Sequence, residues 1–181
     1  MAQAVKDQSS FREAAREEIS RRAFEIHRAR GGGSGGELED WLRAEREWSK
    51  AFVLEAFDTL FNRRDYAKAE RFWSPKYIQH SAHIAPGREG LFQLVKAAPA
   101  SLKYEPGAIV ADGNLVIVHG RFSGTGRPAA WIAADILRIE NGQLAEHWDV
   151  LQDEATREES KSGLPMFGPK FVERSSATKK A

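Results

Sequence analysis

The stretch Asp135-Ile136-Leu137-Arg138-Ile139-Glu140-Asn141-Gly142-Gln143-Leu144-Ala145-Glu146-His147-Trp148-Asp149-Val150 reads as two β-strands joined at a tight Asn-Gly turn. The strands are apolar, yet three acid/base side chains, Asp135, His147 and Asp149, sit inside them. A carboxylate on the buried face of a sheet is costly without a partner or a task. The hairpin therefore bears on fold and chemistry together.

Two registers are open. A two-residue Asn141-Gly142 loop sets Asp135 opposite Trp148 and turns Asp149 to the other face. A type I turn over Glu140-Asn141-Gly142, with Gly142 in the left-handed region, pairs Ile139 with Gln143. Asp135 then faces His147, and Ala133 faces Asp149. The second register is favoured because it gathers Trp131, Ala133, Asp135, Leu137, Ala145, His147, Asp149 and Leu151 on one face. It leaves Ile132, Ile136, Leu144, Trp148 and Val150 as a second, apolar face, from which a homodimer is expected.

Working outward, helical spacing of Phe11, Ala15, Ile19, Ala23 and Ile26 predicts a helix over 10–30. The run Gly31-Gly32-Gly33-Ser34-Gly35-Gly36 ends it. A second helix starts near Glu37 and, with no Pro or Gly before Pro75, is free to continue through Ser49 to Leu60. Shorter helices are expected near 66–73 and 88–98, with the loop His80–Gly87 between them. Strands are expected near 102–111, 114–123, 129–139 and 143–152. Helices followed by a run of antiparallel strands give an α+β fold. The division is a helical hairpin over 1–48, a main domain over 49–167 and a polar, disordered tail over 168–181.

The 181 residues suit one core plus an appendage, and a net charge of +1 gives no case for nucleic acid or membrane. No cysteine is present, which excludes disulfides and thiol chemistry. No apolar leader or membrane-length run is visible, so a cytoplasmic protein is expected.

The run Asp135 to Gln152 resembles the last hairpin of the SnoaL-like branch of the nuclear-transport-factor-2-like superfamily. Tyr77-Ile78-Gln79-His80-Ser81-Ala82-His83-Ile84-Ala85-Pro86-Gly87 resembles a second motif of that branch, and Leu164-Pro165-Met166-Phe167 its closing residues. The resemblance covers roughly 49–167. It implies a curved antiparallel sheet whose helices enclose a cone-shaped pocket. It implies acid/base chemistry of the aldol-condensation type on a small molecule, with neither metal nor cofactor. The segment from Glu18 to Glu45, ending Trp41-Leu42-Arg43-Ala44-Glu45, resembles a short bacterial helical-hairpin domain of unknown function. Its interleaved Arg and Glu form no basic stripe for DNA.

By resemblance, Asp149 holds the place of the strand Asp proposed as acid/base in SnoaL-type cyclases. Asp135 stands where those cyclases carry a His. Asp135 and His147 form a candidate carboxylate–imidazole pair, either tuning Asp149 or serving as a buried structural pair. A plain structural Asp149, paired with an Arg such as Arg121, is the bland alternative. His80 and His83 are candidates to polarise a carbonyl. With Asp135 and His147 they also make a conceivable oxygen/nitrogen metal set, which irregular spacing disfavours. Trp73, Tyr77, Phe92, Trp131 and Phe167 are the candidate pocket lining, against the plainer reading that they fill the core.

Overall fold

The computed structural model describes the backbone of residues 2–172 and the side chains of residues 9–172. Helix α1 (Ala2–Ala29) folds back on α2 (Glu37–Phe57) across the glycine run. The hairpin is fastened where Arg30 donates through Nε to both Asp40 carboxylate oxygens, at 3.1 and 2.8 Å. As the unbroken apolar spacing predicts, α2 passes through Ser49 without interruption and ends in a π-helical turn, Asp58–Asn62. Asn62 then closes that turn onto the sheet. Its amide donates to the Tyr104 carbonyl at 3.1 Å and accepts from the Tyr104 N–H at 2.8 Å. A short α3 (Tyr66–Ala69) follows, capped by Asp65 accepting from the Lys68 N–H.

Next come β1 (Trp73–Gln79), α4 (Gly87–Ala97), β2 (Lys103–Asp112), β3 (Leu115–Ser123), β4 (Trp131–Glu140) and β5 (Gln143–Asp153). The four sequence-predicted strands and the helix near 88–98 stand within a residue or two of expectation. Strand β1 is the addition: the expected helix over 66–73 stops at Ala69, and Trp73 already belongs to the sheet. The sheet order is β1-β5-β4-β3-β2, antiparallel except that β1 runs parallel to β5. Bulges in β1, β2 and β5 bend it around the helical layer. The core lies between that concave face and α2, the π-turn and α4, where Val53, Leu60, Trp73, Val116, Val118, Leu137 and Leu144 are fully buried.

The favoured register needs correction. Glu140 pairs with Gln143 across a two-residue turn, and both Asn141 and Gly142 have positive φ, 52° and 74°. This is the type I′ geometry, which suits the twist of the strands and which Asn-Gly tolerates. The extra residue lies further on. Ile139 pairs with Leu144 but Arg138 pairs with Glu146, so Ala145 is a bulge in β5. Beyond it Asp135 faces Asp149, and Leu137 faces His147. Asp135, His147 and Asp149 do share a face, but Asp135 opposes Asp149 rather than His147. Leu144 moves from the outer face to the core and Ala145 the other way.

Of the expected tail, Phe171 packs under the Arg157 guanidinium at 4.6 Å, and residues 173–181 lie outside the described residues. Among the described residues no helix is long and apolar enough to cross a membrane.

Gly142 carries two constraints at once: its φ of 74° disfavours a side chain, and an added Cβ would lie 2.6 Å from the Phe11 carbonyl oxygen of α1. Gly142→Ala is expected to cost roughly 1–2 kcal/mol from backbone strain alone, and more as α1 is displaced. Asn141→Gly, with no such clash, should stay within about 0.5 kcal/mol of the parent. Urea unfolding of the two variants checks the difference.

Candidate active site

A cavity of about 300 Å³ opens between the concave sheet face and α4. Its walls are apolar: Phe61 from the π-turn, Leu94 and Val95 from α4, Leu102 and Phe122 beside them, and Trp131 and Leu151 from the central strands. Two carboxylates, Asp135 on β4 and Asp149 on β5, line the same cavity. They are direct cross-strand partners, a relation that usually sets β-carbons about 5 Å apart. Neighbouring like charges disfavour double ionisation.

The two acids differ in surroundings. Asp135 is 2% exposed. Its Oδ1 lies 3.1 Å from His147 Nε2, and its Oδ2 has no hydrogen-bond partner in the protein. Burial pushes the Asp135 carboxyl above the ordinary carboxylate range; the His147 hydrogen bond opposes this and the Asp149 charge adds to it. Asp149 is half-buried, and no hydrogen bond or ion pair joins its carboxylate to another described residue. Arg121 does not pair with it: that guanidinium serves Glu154 and Glu105 on the outer face.

His147 is 5% exposed, and its Nδ1 lies 2.9 Å from Gln79 Oε1. Gln79 is on β1, opposite His147 in the parallel ladder. Its Oε1 also accepts from the Ser81 N–H at 2.9 Å. Tyr77 and Tyr104 are buried nearby. Burial raises both phenols above their ordinary range, with the Asp135 charge adding to each.

The histidine pair divides. His83 lines the cavity mouth, stacked on Trp131 at 5.6 Å, with Arg127 held over the same indole at 4.8 Å. His80 is turned outward, against the sequence expectation. It stacks on Trp148 at 4.9 Å and pairs with Glu146 at 2.8 Å on the far face of the sheet. The reason is strand alternation: β1 continues to Gln79, so Gln79 takes the inner position and His80 the outer. Of the expected lining, Trp131 is on the wall. Trp73, Tyr77 and Phe92 are sealed in the core. Phe167 crosses the outer face against His119 at 5.5 Å. The four-residue set is dispersed accordingly, and among the described residues no group of three or more His, Asp or Glu side chains has an arrangement that could hold a metal ion.

Gln79, Arg127 and Thr125 escaped the sequence reading. Gln79 had a signal: period-two spacing with Tyr77 and Trp73 marks it as facing inward, once β1 is recognised as a strand. Arg127 and Thr125 lie in the irregular β3–β4 connection, where no periodicity indicates direction.

Comparison with known proteins agrees with this architecture. A sequence model described as the SnoaL-like domain matches residues 53–147, just over half of the 181 residues. The chain belongs to the SnoaL-like family. No curated protein matches significantly. Among solved structures, a protein from Kribbella flavida, provisionally described as a ketosteroid isomerase, is similar at TM-score 0.55 and 14% identity, over 71% of this chain and 98% of that one. An NTF-2 like protein of unknown function from Burkholderia xenovorans gives TM-score 0.50 at 20% identity, over 60% and 86%. AclR from Streptomyces galilaeus, provisionally described as a hydroxylase, gives 0.47 at 27% identity, over 57% and 88%. The first two likenesses are of fold. In this SnoaL-like chain the family match ends at His147, so Asp149 lies just beyond it.

A carboxyl whose folded-state pKa is raised stabilises the protein fully below its unfolded pKa, and that stability is lost as pH rises through the folded value. Asp135→Asn removes the titration while its amide can still donate to His147 Nε2. The melting temperature of Asp135→Asn minus that of the wild type should therefore grow more positive as pH rises above the ordinary carboxyl range. Thermal melts from acid to alkaline pH check the sign.

Proposed function

We propose that this protein is a cofactor-free acid/base enzyme acting on a small carbonyl compound, by aldol-type condensation, isomerisation or dehydration. The observation that carries this reading is an unpartnered Asp149 carboxylate beside the buried Asp135 on the wall of an apolar cavity. Asp149 is the base. It takes a proton from the carbon next to the carbonyl; the C–H electron pair becomes the new C=C bond, and the carbonyl π pair moves to oxygen. His83 and Arg127, which line the same cavity, stabilise that negative oxygen in this reading. Asp135 and His147 set the charge beside Asp149. The apolar walls lower the local dielectric, which strengthens each of these interactions. His80 has no part in this scheme.

The test is hydrogen–deuterium exchange of small ketones in D₂O followed by proton NMR, with 2-tetralone as first probe. Asp149→Asn should lower catalysed exchange roughly 10²–10⁴-fold, the range of a positioned base, with the melting temperature nearly unchanged. If the variant mainly loses stability, and the wild type exchanges no carbonyl compound faster than buffer, a non-catalytic small-molecule-binding or assembly module is the better reading.

The homodimer belongs to the same proposal. On the outer face Val110, Ile117, Ile136 and Trp148 form one cross-strand row, with Val150 68% exposed beside it. Light scattering at micromolar concentration is expected to give twice the 20.2 kDa chain mass. Trp148→Glu should halve the scattering mass while leaving the fold intact.

A further inference from the structure

The hydrogen bonds around His147 fix where one proton sits, and so what the carboxyl end of the cavity presents to a ligand. The Ser81 backbone N–H can only donate, and Gln79 Oε1 receives it at 2.9 Å. A flipped amide would set an NH₂ against that N–H, so the oxygen assignment is forced by the backbone rather than chosen. His147 Nδ1, 2.9 Å from the same oxygen, must then be the protonated nitrogen. With Nδ1 carrying a hydrogen, the 3.1 Å contact between His147 Nε2 and Asp135 Oδ1 needs one further proton. That proton rests either on Asp135 Oδ1 as a neutral acid or on Nε2 as an imidazolium. The pair has zero net charge in both forms.

In both forms Asp135 Oδ2 carries no hydrogen. It is a buried acceptor without a partner. The neighbouring Asp149 carboxylate also offers only acceptor sites while ionised. The two carboxyls thus offer the cavity acceptors only, within a lining that includes the apolar Phe61, Phe122, Leu102 and Leu151. Resting on the acid/base reading of this cavity, we infer that its ligand is a neutral, largely apolar ring compound that brings a hydroxyl donor, phenolic or enolic, to Asp135 and Asp149. Gln79 is the positioning residue that sets this preference through His147. An ether or a bare hydrocarbon ring leaves the acceptors unfilled, and a carboxylate ligand meets like charge at Asp149.

Two measurements on the full-length protein test this. Calorimetric titration compares 2-naphthol with 2-methoxynaphthalene, which share the ring and differ in the donor hydrogen. 2-Naphthol is expected to bind at least about tenfold more tightly, as for a site whose buried polar groups demand a partner. Equal affinities, or neither probe binding, overturns the inference. Long-range ¹H–¹⁵N NMR of His147 reads the tautomer without any ligand. The wild type should show protonated Nδ1. Gln79→Leu should move the proton to Nε2, and Gln79→Glu, which keeps an acceptor for both donors, should retain the Nδ1–H pattern. A wild type with Nε2–H and bare Nδ1 overturns it as well. Asp135→Leu should erase the naphthol preference if it folds; the two wild-type measurements decide the matter without it. A naphthol preference with no ketone exchange keeps the ligand class and sinks the enzyme. Ketone exchange with equal probe affinities does the reverse.

Discussion

One extra residue in β5 determines the site. The type I′ turn at Asn141-Gly142 fixes an even pairing, and a strand period of two would then carry Asp149 away from the cavity. The Ala145 bulge shifts the phase by one before His147 is reached. Leu144 can therefore fill the core beside Leu137 and Ile139 while His147 and Asp149 still point inward. An unbulged strand could satisfy the core or the cavity, but not both. The same bulge helps curve the sheet, and that curvature leaves space between α4 and the strands.

A carboxyl at the position of Asp135 is expensive. Burial raises its pKa, and one oxygen finds no partner. A structural role would be better served by an apolar side chain, since replacing buried ionic pairs with packed hydrophobes is often neutral or stabilising. Nearby, Gly120 shows how the space is shared out: a Cβ there would lie 2.6 Å from the Tyr104 ring, so the glycine lets that ring lie against β3. The cost of Asp135 is moderated by a chain of hydrogen bonds that begins at a backbone amide, Ser81, and passes through Gln79 and His147. The β1–β5 parallel pairing sets Gln79 against His147, so the edge strand has a chemical consequence beyond sheet extension.

Much of this was legible in the sequence. The helix spacing through Ser49, the strand limits and the gathering of Asp135, His147 and Asp149 followed from periodicity and from the cost of acids in apolar strands. The register mechanism was not legible, because nothing in Leu144-Ala145-Glu146 distinguishes a bulge there from one at the turn; both choices put the acids on one face. Strand β1 was hidden since Pro75 and Lys76 break its alternation. Missing β1 meant missing Gln79 and misjudging His80, whose motif neighbour His83 does reach the cavity. Among the aromatics, sequence shows hydrophobic payload but not depth. Trp73 and Phe92 lie behind the cavity wall while Trp131 is on it, a difference set by packing.

The boundary expected at Ser49 illustrates how two apparent domains share one mechanical element. Ser49 is 3% exposed inside α2, whose N-terminal half packs on α1 and whose C-terminal half carries Val53 and Ala56 into the main core. Trp48 joins both clusters: it packs against each, stacks on Phe52 at 4.8 Å, and donates to Glu18 of α1 at 2.8 Å. At the far end the backbone of Phe11 lies against Gly142, the residue that sets the β4–β5 turn. Helix α1 therefore touches the one turn on which the placement of both carboxylates depends. A hairpin that ends in the core and lies against that turn meets the main domain through packing rather than through a linker.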